Sequence, residues 1–268
     1  YETIITLESE GHAGDVLSAA FSPDGQTIVT ASNDNTARLW DGATGELRHT
    51  LEGHADWVLS AAFSPDGQWL ATADGNAKIH LDNINNNKGQ FLKTSSEEGL
   101  NAIAFSPARN LFAAAGKNGS IFLYQLNEKS GRFEKQHSFS AHEGEVASVN
   151  FDTQGKRLVS AGIKDQVSIV WDITESPPVR VIIHDPMQDS VNWAAFSPDG
   201  QMIVRVGRNK NIEFFEASSK QPKTGYGHTL PVYKVLFTPT GYHAITVSAD
   251  TTVRFWNTET FKNIFSIR

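Results

Sequence analysis

Regularly placed histidine and aspartate residues are the side chains of this sequence that could do chemistry. The sequence has nine histidines. Four of them directly follow a glycine or an alanine, each shortly before an apolar run: His12, His54, His142 and His228. Three aspartates follow these histidines at a similar distance: Asp34, Asp165 and Asp250. A histidine beside a carboxylate can transfer protons, and histidines with carboxylates can hold a metal ion. A catalytic interpretation therefore has to be weighed against a structural one.

The patterns around these residues do not favour catalysis or metal binding. His142-Glu143 begins like the helical zinc motif, but Val146 takes the place of the second histidine and the segment has the pattern of a strand. The chain has no cysteine, which excludes disulfides and thiolate metal ligands. No glycine-rich phosphate loop precedes a predicted helix. The sequence therefore predicts no catalytic residue, no cofactor and no metal ion.

The elements that carry these residues are short strands joined by tight turns. Within residues 11–41, one apolar run ends at Phe21, and the Ser-Pro-Asp-Gly turn that follows combines a proline that presets φ with a glycine that accepts a positive φ. A second run covers residues 27–32 and a third ends at Trp40-Asp41. This segment predicts three antiparallel strands.

The same unit occurs six times. Its aromatic anchor recurs at Phe21, Phe63, Phe105, Phe151, Phe196 and Phe237. The intervals lie near the period of about 40 to 45 residues of WD40 repeats. The chain resembles the WD40 β-propeller family along nearly its whole length, and units such as FSPDGQ and TARLWD look most like bacterial WD40 arrays.

The resemblance implies an all-β propeller of four-stranded blades, in one domain covering residues 1–268. The six predicted repeats are 11–52, 53–95, 96–140, 141–183, 184–226 and 227–268. In this family each sequence repeat supplies the outer strand of one blade and then the three inner strands of the next, so residues 1–8 are expected to be the outer strand of a preceding, seventh blade. The chain is then expected to be a fragment of a longer protein, with the missing strands upstream of Tyr1.

The family also implies a structural role for the histidines and aspartates, in a buried hydrogen-bonded tetrad of His, Ser or Thr, Asp and Trp. Two tetrads are expected to be complete: His12, Ser32, Asp34 and Trp40 in the first unit, and His228, Ser248, Asp250 and Trp256 in the sixth. The fourth unit has Ile163 at the expected serine position, which predicts a partial network. Tyr124 and Phe215 replace the tryptophan in the third and fifth units, which predicts that packing alone holds these blades.

Composition narrows the possible partners and locations. The formal net charge of -7 argues against a protein that coats nucleic acid. No apolar run reaches the length of a membrane span, and no signal peptide pattern follows Tyr1. We expect a cytoplasmic protein with no membrane contact and no general affinity for nucleic acid.

Two surface features are candidates for partner binding. Trp57 and Tyr233 lie at the start of predicted innermost strands, where exposed aromatic side chains are favoured anchors. Cations occupy the same predicted turn of three neighbouring units: Lys117, Lys164, Arg208 and Lys210. Side by side on one face they would suit an extended acidic segment.

The sequence thus predicts a non-catalytic protein-interaction or sensing module, attached to other domains of a signalling or effector protein as in the bacterial arrays it resembles. Its partners would be proteins or domains of the same polypeptide. One alternative is recognition of a phosphopeptide or nucleic acid by the cationic arc. Another is an enzyme built on a propeller, for which the sequence offers no converging carboxylates or histidines.

Overall fold

The computed structural model describes residues 11–84, 88–94 and 98–268, and across these ranges every regular element is a β-strand. The strands form six antiparallel sheets of four strands each, in sequence order. We call these sheets blades 1 to 6. The predicted all-β propeller with six four-stranded blades is confirmed, whereas the predicted outer strand at residues 1–8 lies outside the described residues.

Each blade has an innermost, a second, a third and an outer strand. The innermost strands are β1 (Val16–Phe21), β5 (Val58–Phe63), β9 (Leu100–Phe105), β13 (Val146–Phe151), β17 (Val191–Phe196) and β21 (Val232–Phe237). The second strands are β2 (Thr27–Ser32), β6 (Trp69–Asp74), β10 (Leu111–Gly116), β14 (Arg157–Gly162), β18 (Met202–Gly207) and β22 (His243–Ser248).

The other two strands complete each blade. The third strands are β3 (Ala37–Asp41), β7 (Lys78–Asn83), β11 (Ser120–Asn127), β15 (Ser168–Asp172), β19 (Ile212–Glu216) and β23 (Val253–Asn257). The outer strands are β4 (Leu47–Leu51), β8 (Lys88–Lys93), β12 (Arg132–Ser140), β16 (Val179–Ile183), β20 (Lys223–Gly225) and β24 (Asn263–Ile267).

The Ser-Pro-Asp-Gly turn joins the innermost strand to the second strand as the sequence predicts. In blade 1 the Ser22 hydroxyl donates to Asp24 at 2.6 Å and accepts the backbone N–H of Thr27 at 2.9 Å. Gly25 has φ of 70°, a conformation that glycine adopts without steric cost. The turn fixes the register of the hairpin, so that Phe21 pairs with Ile28.

The core lies between blades. Innermost strands of consecutive blades contact each other from β1 through β21, and each pair of consecutive blades shares one buried apolar cluster. Both faces of a blade are therefore buried when it has a neighbour on each side, which explains the nearly continuous apolar runs of the second strands. Within the described ranges there is no helix long and apolar enough to cross a membrane.

Candidate functional site

A buried hydrogen-bonded chain links the histidine, hydroxyl, tryptophan and aspartate of blade 1. Nδ1 of His12 lies 2.8 Å from Asp34 Oδ2, and Nε2 lies 2.7 Å from the Thr30 hydroxyl. The Trp40 indole N–H donates to the same hydroxyl at 2.8 Å. Every group is satisfied when Nδ1 of the histidine carries the proton and the Thr30 hydroxyl donates to Nε2.

The hydroxyl in this chain is that of Thr30, so the prediction of Ser32 is wrong. The prediction of Ser248 in blade 6 is wrong in the same way, because the Thr246 hydroxyl lies 2.7 Å from Nε2 of His228 and accepts the Trp256 indole N–H at 2.8 Å. Ser32 and Ser248 instead accept the backbone N–H two residues later. Residues two apart on a strand share a face, so alternation alone cannot distinguish these positions.

Blade 4 has a complete chain, which corrects the prediction of a partial network with Ile163 in the hydroxyl position. Ser160 supplies the hydroxyl, 2.7 Å from Nε2 of His142 and 2.9 Å from the Trp171 indole nitrogen. Asp165 completes the chain at 2.8 Å from Nδ1. Blades 1, 4 and 6 therefore share one arrangement.

Hydrogen bonding decides the charge state of the aspartates. Burial by itself would raise the pKa of Asp34, but hydrogen bonds from Thr36, from His12 and from the backbone of Ala13 hold that pKa well below its usual range. The pKa of Asp250 is depressed for the same balance of reasons, with Thr252, Thr229 and His228 as donors. Both carboxylates are therefore ionised acceptors across the physiological range.

Blade 2 keeps the histidine, the hydroxyl and the aspartate of this hydrogen-bonded chain, but Asp82 stands at the register position of the tryptophan. His54 bonds to Asp74 at 2.9 Å and to Thr72 at 2.8 Å. The ring of His80 stacks on the ring of His54, with centroids 3.8 Å apart. Burial, with the nearby charge of His54, lowers the pKa of His80 to about 3.

Blade 5 contains a buried ion pair, so the prediction that packing alone holds it is wrong. Arg205 takes the place of the hydroxyl residue, and its Nε donates to Glu213 at 2.8 Å. Its Nη2 donates to the Asp185 carbonyl at 2.7 Å. The guanidinium also lies over the Phe215 ring, 4.9 Å from the centroid. In blade 3, by contrast, Tyr124 stacks on Phe112 within an aromatic cluster.

In blades 1, 2 and 6 a threonine, a histidine and an aspartate are hydrogen-bonded in the order of a catalytic triad, and Ser160 takes the place of the threonine in blade 4. A substrate, however, cannot reach these hydroxyls. The four hydroxyl residues are at most 4% exposed. In blades 1, 4 and 6 the hydroxyl also accepts an indole N–H. A nucleophile must reach its substrate, so these chains support the fold. Within the described ranges no group of three or more His, Asp or Glu side chains could hold a metal ion.

The candidate surface residues lie at one end of the innermost strands. In each blade, the residue after the second strand donates its backbone N–H to the residue before the innermost strand. Gly75 donates to Trp57 at 3.0 Å, Lys117 to Gly99 at 2.9 Å and Arg208 to Ser190 at 3.1 Å. This hydrogen bond brings Trp57 and the cationic turns to the same face of the propeller, which we call the turn face.

Trp57 and the cations are exposed and follow one another along consecutive blades. Trp57 is 54% exposed in blade 2. The cations of blades 3 to 5 are exposed as well: Lys117, Lys164, Arg208 and Lys210. None of these four cations forms an ion pair with a residue that the structure describes. Tyr233, 57% exposed, is the second residue of β21 in blade 6, next to blade 5.

Comparison with protein families identifies the repeat. The sequence profile of "WD domain, G-beta repeat" matches five segments: 2–41, 45–81, 89–125, 133–172 and 219–257. The chain belongs to the WD40 repeat family. The WD40 profile does not match the inner strands of blade 5, the blade in which Arg205 and Glu213 replace the usual residues.

Individual WD40 relatives match less than half of the chain. It is 26% identical to nuclear distribution protein nudF of Emericella nidulans over 139 residues, 44% of this chain and 31% of the relative. It is 28% identical to protein hir1 of Schizosaccharomyces pombe over 46% of this chain and 15% of the relative. It is 30% identical to the guanine nucleotide-binding protein subunit beta of Arabidopsis thaliana, over 46% of this chain and 34% of the relative.

These matches therefore span at most about a third of each relative's length. The relatives are eukaryotic, so they give no support to the likeness with bacterial arrays.

Proposed function

We propose that this WD40 propeller is a non-catalytic module that binds a protein partner on its turn face. The observation that carries the proposal is the row of Trp57 and unpaired cations on consecutive blades. An exposed tryptophan is a favoured anchor, and neighbouring cations steer and orient an oppositely charged partner. The partner segment would be acidic, extended and long enough to cross three blades.

The charges of the turn face limit what can bind there. The face also carries Glu143 and Glu145 in blade 4, and the Glu145 carboxylate already accepts a hydrogen bond from Asn101 at 2.8 Å. With a formal net charge of -7 on the whole chain, a long nucleic acid would meet repulsion beyond the cationic turns. These charges favour a short acidic protein segment over a nucleic acid.

The same proposal includes the protein in which this propeller works and the location of that protein in the cell. The relatives are several times longer than their matched segments, which supports a module that works within a larger signalling protein. A cytoplasmic location stays a prediction.

A charge reversal with a matched control tests the partner site. Lys117→Glu, Lys164→Glu and Arg208→Glu together should weaken binding of a partner that copurifies from native cells by about tenfold or more, since several ion pairs of about 0 to 1 kcal/mol act together. The variant should also reduce the salt dependence of binding. Titration calorimetry at two salt concentrations measures both effects.

The control reverses three exposed lysines at the opposite ends of the strands: Lys129, Lys156 and Lys262. This control makes the same formal change in net charge at the opposite face of the propeller. Equal loss of affinity in the two triple variants would show that only net charge matters. An unchanged affinity in the first variant would contradict the proposed site.

A further inference from the structure

The turn between the third and outer strands is tight in blades 1 and 6. It begins at Asp41 in blade 1 and at Asn257 in blade 6, and the side chain of each residue accepts two backbone N–H groups of the turn. The backbone N–H of the same residue points to the outer strand, where Asp41 donates to Glu46 at 2.8 Å and Asn257 to Lys262 at 3.0 Å. In both blades the outer strand therefore pairs with the third strand as far as the tryptophan.

The sequence of blade 5 does not support this turn. Glu216 takes the place of Asp41 and Asn257, and its longer side chain accepts no backbone N–H of the described turn. Pro222 stands where the outer strands of blades 1 and 6 begin, and proline has no N–H to donate to the third strand. The strand pairing of β19 and β20 ends at Phe214 and Lys223. Among the described residues, the backbone N–H of Glu216 has no acceptor on the outer side.

A cavity of about 340 Å³ lies beside this unpaired end of β19, and we call it the blade 5 pocket. Its apolar walls are Met202, Phe214, Phe215, Pro222 and Phe261. Phe214 and Phe215 are each 1% exposed, and the ring centroids of Phe214 and Phe261 are 5.2 Å apart. The packed core of blades 5 and 6 therefore fixes the walls. The volume lies in the range of about 300 to 1,000 Å³ that small-molecule sites have.

Two hydrogen-bond donors meet these apolar walls. The backbone N–H of Glu216 points to the outer side, as that of Asp41 does in blade 1. Lys223 also lines the pocket, and its Nζ lies 4.9 Å from the centroid of the Phe261 ring. Lys223 is exposed and forms no ion pair with a residue that the structure describes. Ser219, Gln221 and the exposed Glu216 side chain complete the lining.

We propose that the blade 5 pocket binds a small molecule that combines an aromatic ring with a carboxylate. The ring packs between Phe214 and Phe261, where edge-to-face contacts are available. The carboxylate accepts the Glu216 N–H and the Lys223 ammonium, and hydrogen bonds between charged groups are stronger than neutral ones. The pocket lies at the ends of the strands opposite the turn face, so this binding goes beyond the protein-binding role proposed above.

The two methionines of the chain provide the test. Met202 lines the pocket, whereas Met187 is 1% exposed and lies outside it. The full chain with isotope-labelled methionine methyl groups is titrated with phenylacetate and followed by NMR. We expect the Met202 signal to shift to saturation while the Met187 signal stays in place. Phenylacetamide should bind about fivefold more weakly, because it keeps the ring and loses the charge. Phenethylamine, a cation, should bind more weakly still.

Two variants locate the carboxylate and the ring. Lys223→Gln should remove the preference for phenylacetate over phenylacetamide and leave the affinity for phenylacetamide unchanged. The control Lys156→Gln, at an exposed lysine of the same face in blade 4, should keep the preference. Met202→Trp should fill the pocket and abolish binding, as read from the amide signal of Glu216. The fold accommodates the larger ring, because Trp69 occupies the same strand position in blade 2.

Three results would overturn the proposal. The first is a Met202 signal that does not move at the solubility limit of phenylacetate. The second is equal affinity for phenylacetate and phenylacetamide in the original chain. The third is binding that survives Met202→Trp. None of these results depends on the partner site of the turn face, which is measured separately by titration.

Discussion

At the scale of single residues, the hydrogen-bond chains show how a buried polar group acquires a structural role. The Thr246 hydroxyl serves two partners, His228 and Trp256, and is fully buried. An unsatisfied buried donor or acceptor costs about 1 to 3 kcal/mol, so removal of one member destabilises the fold when it leaves its partners unpaired. The register of the second and third strands decides which hydroxyl is used.

Substitution of each candidate hydroxyl in turn shows which of the two belongs to the buried hydrogen-bonded chain. Thr246→Val should lower the free energy of unfolding by about 1 to 3 kcal/mol, because it strands the indole N–H and Nε2 of the histidine. Ser248→Ala should cost less, since its hydroxyl is only partly buried and bonds to backbone groups. Urea unfolding of both variants, with Thr246→Ser as the control that keeps the hydroxyl, measures the difference. A larger loss for Ser248→Ala would contradict the assignment.

His184 predicts a pH dependence of stability. Its ring is fully buried, and this burial, with the charge of Arg205, lowers its pKa to about 4, from about 6.5 in an unfolded chain. As pH falls below about 6.5, the unfolded state therefore binds the proton first. The stability from neutral His184 is present above that pH and is lost as pH falls towards 4.

Between pH 6.5 and 4.5, the free energy of unfolding of His184→Gln should fall less than that of the original chain, and the difference should be on the order of 2 kcal/mol. His49→Gln, at an exposed histidine, is the matched control for the loss of an imidazole. Denaturant unfolding at several pH values gives the slopes, and identical slopes for His184→Gln and the original chain would refute the assignment.

At the scale of one blade, blade 5 shows that the fold accommodates a different set of buried residues at the same strand positions. Where blades 1, 4 and 6 place a hydroxyl and a tryptophan, blade 5 places Arg205 and Phe215, with Glu213 to neutralise the guanidinium. A buried arginine without a counter-charge is costly, so the two charged residues depend on each other. This pairing crosses from β18 to β19 and ties the blade together.

This dependence can be measured by substitution. Glu213→Leu should destabilise the protein by about 3 to 5 kcal/mol, because it leaves the Arg205 charge buried and unpaired. The double variant Arg205→Leu with Glu213→Leu should be much closer to the original stability. Chemical unfolding of both variants tests the coupling, which would be absent if the double variant were at least as unstable as Glu213→Leu.

At the scale of the whole molecule, protection should be greatest in the middle of the blade series. The strand β14 in blade 4 is buried along nearly its whole length, whereas four of the six residues of β1 are exposed. Local opening needs less free energy where fewer apolar contacts are lost. Amide exchange followed by mass spectrometry should therefore be slower in β14 than in β1. Equal protection of the two strands would contradict the expectation that local stability follows burial.

The sequence by itself determined the fold, because the turn, the aromatic anchor and the alternation of each strand are local signals repeated six times. The positions of His12 and Asp34 in the buried chain were predictable for the same reason. The choice of Thr30 over Ser32 was not, because both lie on one face of β2 and only the pairing of Ile28 with Trp40 places the indole near Thr30.

Tertiary structure alone decided two other features. The pairing of Arg205 with Glu213 depends on the register between two strands, and no local pattern predicts it. The exposure of Val16 depends on whether another blade lies beside it, since the same residue type at the same place in blade 2 is fully buried. Burial is a property of the neighbours that a residue has in space, which a repeated sequence cannot distinguish from one copy to the next.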